Sequence, residues 1–317
     1  MKRRLLLPAL CFVAILFSCV KENNDLELTT QTPVAFSVDT RDAESTKLTD
    51  TNFESKDVIN VLGYLVHDNG TTKYDMLYVG ELANSTVSPL SFNYNTSFVS
   101  EYYWPKFDNN DYQGLHFLGY FGNATMVANS GSVPYFTYKT DTDNSAKTED
   151  FLVCQTIADK NPVEMLFVRP VSKVIWKIKN LDYIGAYVGN LQFENIISGG
   201  TFNYSTGTEE DGKGWSTPEY GNLTINYQVQ INGNMGSADA GVEIGVSYLI
   251  PQAISSFALV YNYHKELVNL PEGDYIELES GAEYTVTLVV SGNKVIRLET
   301  SDGTKQWNTV IDNNDLT

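Results

Sequence analysis

Leu223-Thr224-Ile225-Asn226-Tyr227-Gln228-Val229-Gln230-Ile231 (residues 223–231) alternates apolar and polar side chains without a break. Successive side chains of a strand point to opposite faces. This period of two therefore puts Leu223, Ile225, Tyr227, Val229 and Ile231 on one buried face. The pattern recurs along the chain. Tyr284, Val286, Leu288 and Val290 alternate with Thr285 and Thr287, and Val174, Trp176 and Ile178 alternate with Lys177 and Lys179. Near the start, Val34, Phe36 and Val38 alternate with Ala35 and Ser37. Val58-Ile59-Asn60-Val61-Leu62-Gly63-Tyr64-Leu65-Val66 is instead almost continuously apolar, which suits a strand covered on both faces. Turn signals such as Asp68-Asn69-Gly70, Asn232-Gly233-Asn234 and Ser291-Gly292-Asn293 separate these runs. No window carries helical periodicity with a cap. Many short strands with Gly/Asn turns predict an all-β chain built of sandwiches, not a parallel α/β sheet.

Composition narrows the function. Of 317 residues, 42% are hydrophobic and 19% charged, a globular balance. The net charge is −18. Three basic residues, Lys2, Arg3 and Arg4, lie in the first four positions, with no acid before Glu22. Without them 18 basic residues face 39 acidic ones, a net of −21. Such a chain is repelled by phosphate backbones, so nucleic acid is excluded as a partner. Three cysteines are too few for a disulfide scaffold or a zinc cluster.

Residues 1–18 read as a signal peptide. Lys2-Arg3-Arg4 is a positive n-region, and Leu5 to Phe17 is an apolar run too short to span a bilayer. The run ends in Leu16-Phe17-Ser18-Cys19, which resembles a bacterial lipobox. That resemblance implies cleavage between Ser18 and Cys19 and acylation of Cys19. Several acyl chains, each contributing about 0.8 kcal/mol per buried CH₂, make a stable anchor in the cell outer membrane. Residues 19–32 are polar and read as a flexible tether. Lys21-Glu22 and Asp25 resemble the short acidic signals that send some lipoproteins to the cell surface. Cys154 reads as a small buried hydrophobe. The polar, Pro-ending stretch Ala158-Asp159-Lys160-Asn161-Pro162 predicts a boundary between an N-terminal sandwich, 33–160, and a C-terminal one, 161–317.

Catalysis is disfavoured. His67, His116 and His264 are far apart, and the chain has no HExxH, GxSxG or CxxC pattern. No cofactor and no metal are expected. Asp108-Asn109-Asn110-Asp111 and Asp141-Thr142-Asp143-Asn144-Ser145 offer oxygen ligands for calcium, but neither has the glycine and glutamate of an EF-hand loop, so they read as solvated turns.

Several short patterns occur in an order that resembles the fimbrillin-like (Mfa-like) proteins of the Bacteroides group, which include the type V pilins. They are the export segment ending at Cys19, and a strand followed by Thr40-Arg41. Next come Asp57-Val58-Ile59-Asn60-Val61, and Tyr103-Trp104-Pro105 ahead of Leu115-His116-Phe117-Leu118-Gly119-Tyr120-Phe121. The set closes with Glu149-Asp150-Phe151-Leu152 ahead of Val163 to Val174, then Tyr248-Leu249-Ile250-Pro251-Gln252, and Trp307. Arg169 stands where the family commonly carries His. The resemblance implies two tandem transthyretin-like β-sandwich domains and a structural or adhesive role in a surface fimbrium. In polymerising members a protease cuts after an Arg near the first strand, and the vacated groove accepts a donor strand from another subunit.

Arg41 is the candidate processing site here. Val34, Phe36 and Val38 are the candidate exchangeable strand, whose removal would uncover about 5–8 kcal/mol of apolar burial. The tail after Trp307 offers only Val310, Ile311 and Leu316 on no shared period, a poor donor strand. The expected role is therefore an accessory, anchor or tip subunit, with other fimbrial subunits as partners by strand exchange. Two alternatives remain open. One is a stand-alone surface module for a glycan or host protein, using Tyr102, Tyr103 and Trp215. The other is a polymerising stalk pilin.

Overall fold

The computed structural model describes residues 28–40, 58–67, 69–84, 92–94, 103–105, 112–122, 124–129, 131–140, 150–181, 185–203, 214–231, 241–270, 275–291 and 294–302. Every regular element among them is a strand, in line with the all-β expectation. The first eight are β1 (Leu28–Pro33), β2 (Phe36–Thr40), β3 (Val58–His67), β4 (Thr72–Asn84), β5 (Phe92–Tyr94), β6 (Tyr103–Pro105), β7 (Tyr112–Gly122) and β8 (Ala124–Val127). Then come β9 (Tyr135–Lys139), β10 (Phe151–Ala158), β11 (Val163–Phe167), β12 (Ser172–Asn180), β13 (Ala186–Asn203), β14 (Trp215–Ile231) and β15 (Val242–Leu249). The last six are β16 (Ala253–Ile254), β17 (Ser256–Tyr261), β18 (His264–Asn269), β19 (Ile276–Glu277), β20 (Glu283–Ser291) and β21 (Lys294–Asp302).

The apolar run 58–66 becomes β3, near the middle of an antiparallel sheet ordered β10-β7-β3-β4-β5. Its alternation explains the unbroken hydrophobicity. Ile59, Val61 and Leu65 enter one core with Trp104, Leu115, Phe117 and Leu152. Leu62 and Tyr64 point the other way, into a second core with Leu118, Phe136, Tyr138 and Phe151. The first face is covered by β2 and β11, a parallel pair, and by Trp104 of β6. The second is covered by β8, β9 and the ends of β13 and β14 that carry Phe202 and Trp215.

The third core lies further along the chain. One sheet is ordered β15-β12-β20-β21, with β12 and β20 parallel. It packs on a sheet formed by β18, β17 and β13, with β14 on the other edge of β13. The period-two residues behave as the sequence predicts. Val174, Trp176, Ile178, Leu223, Ile225, Tyr284, Val286 and Leu288 are buried together. A polar node sits inside: the Trp176 indole N–H donates to Ser247 Oγ (2.9 Å), and the Tyr227 hydroxyl shares that oxygen (2.8 Å). Burial pushes the Tyr227 phenol above its usual range, so it stays protonated.

β13 joins the two parts. One edge pairs β14 along most of its length; the other is divided, with residues 188–192 pairing β17 and residues 199–203 pairing β9. The β13/β14 hairpin crosses from one core to the next through irregular steps in its pairing. Residues near the steps, Asn195, Thr217 and Gln228, have positive φ, and Pro218 follows Thr217. Bulges bend a strand, and they are where proline is tolerated.

The expected boundary at 160/161 does not coincide with a break in packing. Val163, Met165 and Phe167 of β11 lie in the same core as Val34, Ile59 and Phe117, and β9 pairs with β13. Residues 159–162 form a turn between β10 and β11. Their polarity marks solvent exposure of that turn, not a linker.

The crossing from β11 to β12 runs over a buried ion pair. Arg169 is 3% exposed and Asp150 8%. The Arg169 Nε donates to both Asp150 oxygens (2.8 and 2.7 Å), and its Nη2 donates to Oδ2 (2.5 Å). The guanidinium also sits 5.8 Å from the Tyr248 ring centre. Burial, with the Asp150 carboxylate adding to it, raises the Tyr248 phenol. The Trp215 indole N–H donates to the Pro170 carbonyl (2.8 Å), and Val153 and Val168 exchange backbone hydrogen bonds of 2.9 Å. Gly122, at φ +96, lies directly over the Asp150 carbonyl, where any Cβ would clash.

Three outcomes follow. A chain that begins at Val163 keeps the third core but lacks β9 and the β2 partner of β11, so it is expected to unfold at lower urea than the full chain, with hydrogen exchange fastest in β11 and at residues 199–203. Arg169→Met should cost about 3–5 kcal/mol in urea unfolding by stranding the Asp150 charge. Adding Asp150→Asn should restore part of that loss. Gly122→Ala should cost at least about 2 kcal/mol by the same measurement, from positive φ together with the backbone clash.

Candidate strand-exchange site

The candidate site is the seat of the first strand segment. Val34 precedes β2 and is 1% exposed; Phe36 and Val38 are half-buried against the same core. All three thus meet one apolar surface, with Val34 and Ala35 lying unladdered between β1, which pairs β6, and the start of β2 at Phe36. β2 runs parallel to β11, with Phe36 opposite Val163 and Thr40 opposite Phe167. Among the described residues β2 is the one ladder partner of β11; β10 packs against β11 in the same core and bridges to it at Val153–Val168, beyond the end of β11. The Phe36 ring meets Phe117 edge-on at 5.4 Å, and Trp104 meets the same ring edge-on at 6.0 Å.

A polar clamp closes one end of this seat. Asn161 Oδ1 accepts from the Ala35 backbone N–H (2.8 Å) and from the Trp104 indole N–H (2.7 Å). Its Nδ2 donates to the Pro33 carbonyl (2.7 Å). The Val163 N–H donates to the Ala35 carbonyl (2.8 Å). One amide side chain therefore satisfies both donor and acceptor groups of an irregular stretch that no ladder would satisfy. Gly119 of β7 lies beneath Met165 and Phe167, where a side chain would crowd both. That glycine lets β11 settle onto the sheet.

Burial reduces the apolar stake. Val34 is fully enclosed but Phe36 and Val38 only partly, so the three contribute about 3–6 kcal/mol rather than the full value for three enclosed side chains. The four hydrogen bonds around Asn161 and Ala35 add to this at about 0.5–1.5 kcal/mol each.

Ser18, Cys19 and Arg41 lie outside the described residues, as do the acidic turns at 108–111 and 141–145, Tyr102 and the tail after residue 302. Thr40, the last residue of β2, directly precedes Arg41. Trp215 is not a loop aromatic. It packs on Phe202 (5.4 Å) and Tyr138 (5.8 Å), with its indole N–H bonded to Pro170. Tyr103 is half-buried in β6. The histidines have separate surroundings: His67 stacks on Tyr112 at 4.7 Å, His116 meets the Thr72 hydroxyl at 3.1 Å, and His264 is exposed at the start of β18. Burial lowers the pKa of His116, with a side-chain hydrogen bond to Gln155 opposing it. Sequence reasoning missed the Asn161 clamp. Its one signal is Asn161 immediately before Pro162, which reads equally well as ordinary turn chemistry.

Residues 46–304 match the fimbrillin-like family. The chain belongs to that family. Solved structures share the fold. A candidate cell adhesion protein of Bacteroides uniformis is 14% identical, with a TM-score of 0.56 over 88% of this chain and 99% of its own. Another, from Bacteroides ovatus, is 15% identical, with a TM-score of 0.53 over 90% of this chain and 98% of its own. No curated protein matches the chain. Membership of the fimbrillin-like family supports a pilus- or adhesin-type role at the cell surface and association with fimbrial subunits.

Asn161→Ala should strand the Trp104 indole, the Ala35 amide and the Pro33 carbonyl together. Expected is a loss of about 2–4 kcal/mol, with hydrogen exchange at Ala35 and β2 accelerated well beyond that in β12.

Proposed function

We propose that this fimbrillin-like chain is a lipid-anchored accessory, anchor or tip subunit of a type V pilus, non-enzymatic, and joined to its neighbours by strand exchange at the seat of β2. The observation that carries this reading is that β11 depends on β2 for its ladder, with Val34 enclosed and Arg41 one residue beyond the strand. A cut after Arg41 would free the first strand segment from the body. It would leave the parallel edge of β11 open, above a surface lined by Phe117, Trp104 and Met165. An exposed strand edge over an apolar trough is a template for an incoming strand. The family match and the Leu16-Phe17-Ser18-Cys19 export pattern support placement at the outer membrane. Cys19 would carry the lipid, so the anchor would hold the chain at the membrane until the cut and leave with the cut segment.

Limited digestion of the native chain by a trypsin-like protease tests this. Expected is an early dominant cut after Arg41, identified by mass spectrometry, and a body that gains an apolar-dye signal. A synthetic strand carrying Val34, Phe36 and Val38 should quench that signal. Early scattered cutting at Lys47, Lys56 or Lys73, or a cut body that keeps residues 34–38 and binds no dye, would sink the exchange reading. Fatty-acid labelling lost in Cys19→Ala would independently establish the anchor.

A further inference from the structure

A second surface lies at the turn between β17 and β18, in a sheet to which β2 does not belong. Asn262 and Tyr263 form this two-residue turn with φ of +47 and +66. Two successive left-handed residues make the hairpin turn that favours Asn then Gly. Asn262 fits. Tyr263 does not, because a bulky aromatic in this region is strained. The turn is nevertheless over-determined. The Asn262 N–H donates to the Tyr187 carbonyl (2.8 Å), and Asn262 Oδ1 accepts from the Tyr187 N–H (2.8 Å).

The consequence is a displayed ring. Tyr263 is 84% exposed, the most exposed large hydrophobic side chain among the described residues. One face of its ring stacks on Tyr187, with centres 5.2 Å apart and planes 17° from parallel. With that much of Tyr263 in water, its opposite face is presented outward on a rigid backing. Around it, the outer face of the sheet carries amides. Ala186, Val188 and Leu191 point into the core, so the opposite side of β13 carries Tyr187, Asn190 and Gln192. Gln192 Nε2 donates to Asn190 Oδ1 (3.0 Å), and Gln230 of β14 stands exposed opposite Tyr187. The nearby charges Lys265 and Glu194 are 4.0 Å apart and offset each other.

We propose that the Tyr187–Tyr263 platform binds an uncharged hexopyranose, presented at the end of or within a glycan. A pyranose ring has one face of axial C–H groups with partial positive charge, which meets the negative face of an aromatic ring. Its rim of hydroxyls donates and accepts at once, as amide side chains also do. Size favours this occupant over a protein. Two Tyr side chains cover at most about 300–500 Å², below the roughly 800 Å² per partner of a stable protein interface. Charge favours a neutral sugar over a sulfated or sialylated one, because the chain carries −18 and the patch offers a single lysine, itself paired. The site is independent of the strand-exchange reading, since neither β2 nor β11 contributes to it.

Saturation-transfer NMR on the purified full-length chain tests the assignment. The probes are methyl glucoside, methyl galactoside, methyl mannoside and methyl N-acetylglucosaminide, with a sulfated disaccharide alongside. Transfer to the ring protons of at least one neutral pyranoside is expected. Tyr263→Phe should keep the signal. Tyr263→Gly should weaken binding at least about tenfold, while melting at or above the wild-type temperature because glycine suits the turn. No transfer to any neutral pyranoside, a preference for the sulfated sugar, an unchanged signal in Tyr263→Gly, or a folded state lost in Tyr263→Gly would each overturn the proposal. The trypsin digest at Arg41 is unaffected by either Tyr263 variant, so failure here leaves strand exchange standing.

Discussion

The divided edge of β13 governs the architecture. One strand cannot offer the same backbone groups to two partners, so β17 and β9 take successive stretches of it. That arrangement commits the N-terminal strands β8 and β9 to a sheet whose other members come later in the chain. It also forces the β13/β14 hairpin to serve two cores. Positive φ near its pairing irregularities accompanies this bend. The Asp150–Arg169 pair sits where the chain crosses between these cores, with Trp215 bonded to the carbonyl next door. A buried pair of this kind adds little net stability over a well-packed apolar alternative, but breaking one side of it is costly. Its geometry ties the residue before β10 to the β11–β12 crossing at one point.

The first strand segment is held differently. Its apolar contribution is modest, because only Val34 is fully enclosed. Local polar satisfaction through Asn161 and Trp104 secures the rest. The segment is peripheral to the central sheet: β2 is held by its ladder to β11 and, just ahead of it, by the Asn161 amide, while Met165 and Phe167 lie over Gly119. The bonds that hold the first strand segment are therefore distinct from those that hold the sheet.

Much of this was legible in the residues. Strand patterning over 172–180, 223–231 and 284–290 depends only on period two, and the buried faces match it. The apolar run at 58–66 marked a strand covered twice, because polar residues have no face left to occupy. The boundary at 160/161 was not legible. A polar turn between two strands of one core has the same composition as a linker. The packing of Trp215, a candidate ligand-facing aromatic, was hidden because its anchors, Phe202, Tyr138 and Pro170, are distant in sequence. The clamp at Asn161 was hidden for the same reason: its partners at 33, 35 and 104 converge only after the sheet closes. Arg169 stood out only as a departure from the family pattern; its burial against Asp150 depends on tertiary contacts.

The parallel run of β2 and β11 has a mechanical meaning. Tension entering from the amino end of an intact chain pulls on Phe36, while the body pulls back through Phe167 toward β12. Those two points lie at opposite ends of the paired strands. The load is therefore a shear along the ladder, shared by all the rungs from Val163–Phe36 to Phe167–Thr40 at once. An antiparallel pair held at the same chain positions would take the load at one rung and unzip. The first strand is thus a coupling loaded in shear, and severing the chain on its carboxyl side would leave the ladder and the Asn161 clamp to carry that same shear without covalent backing.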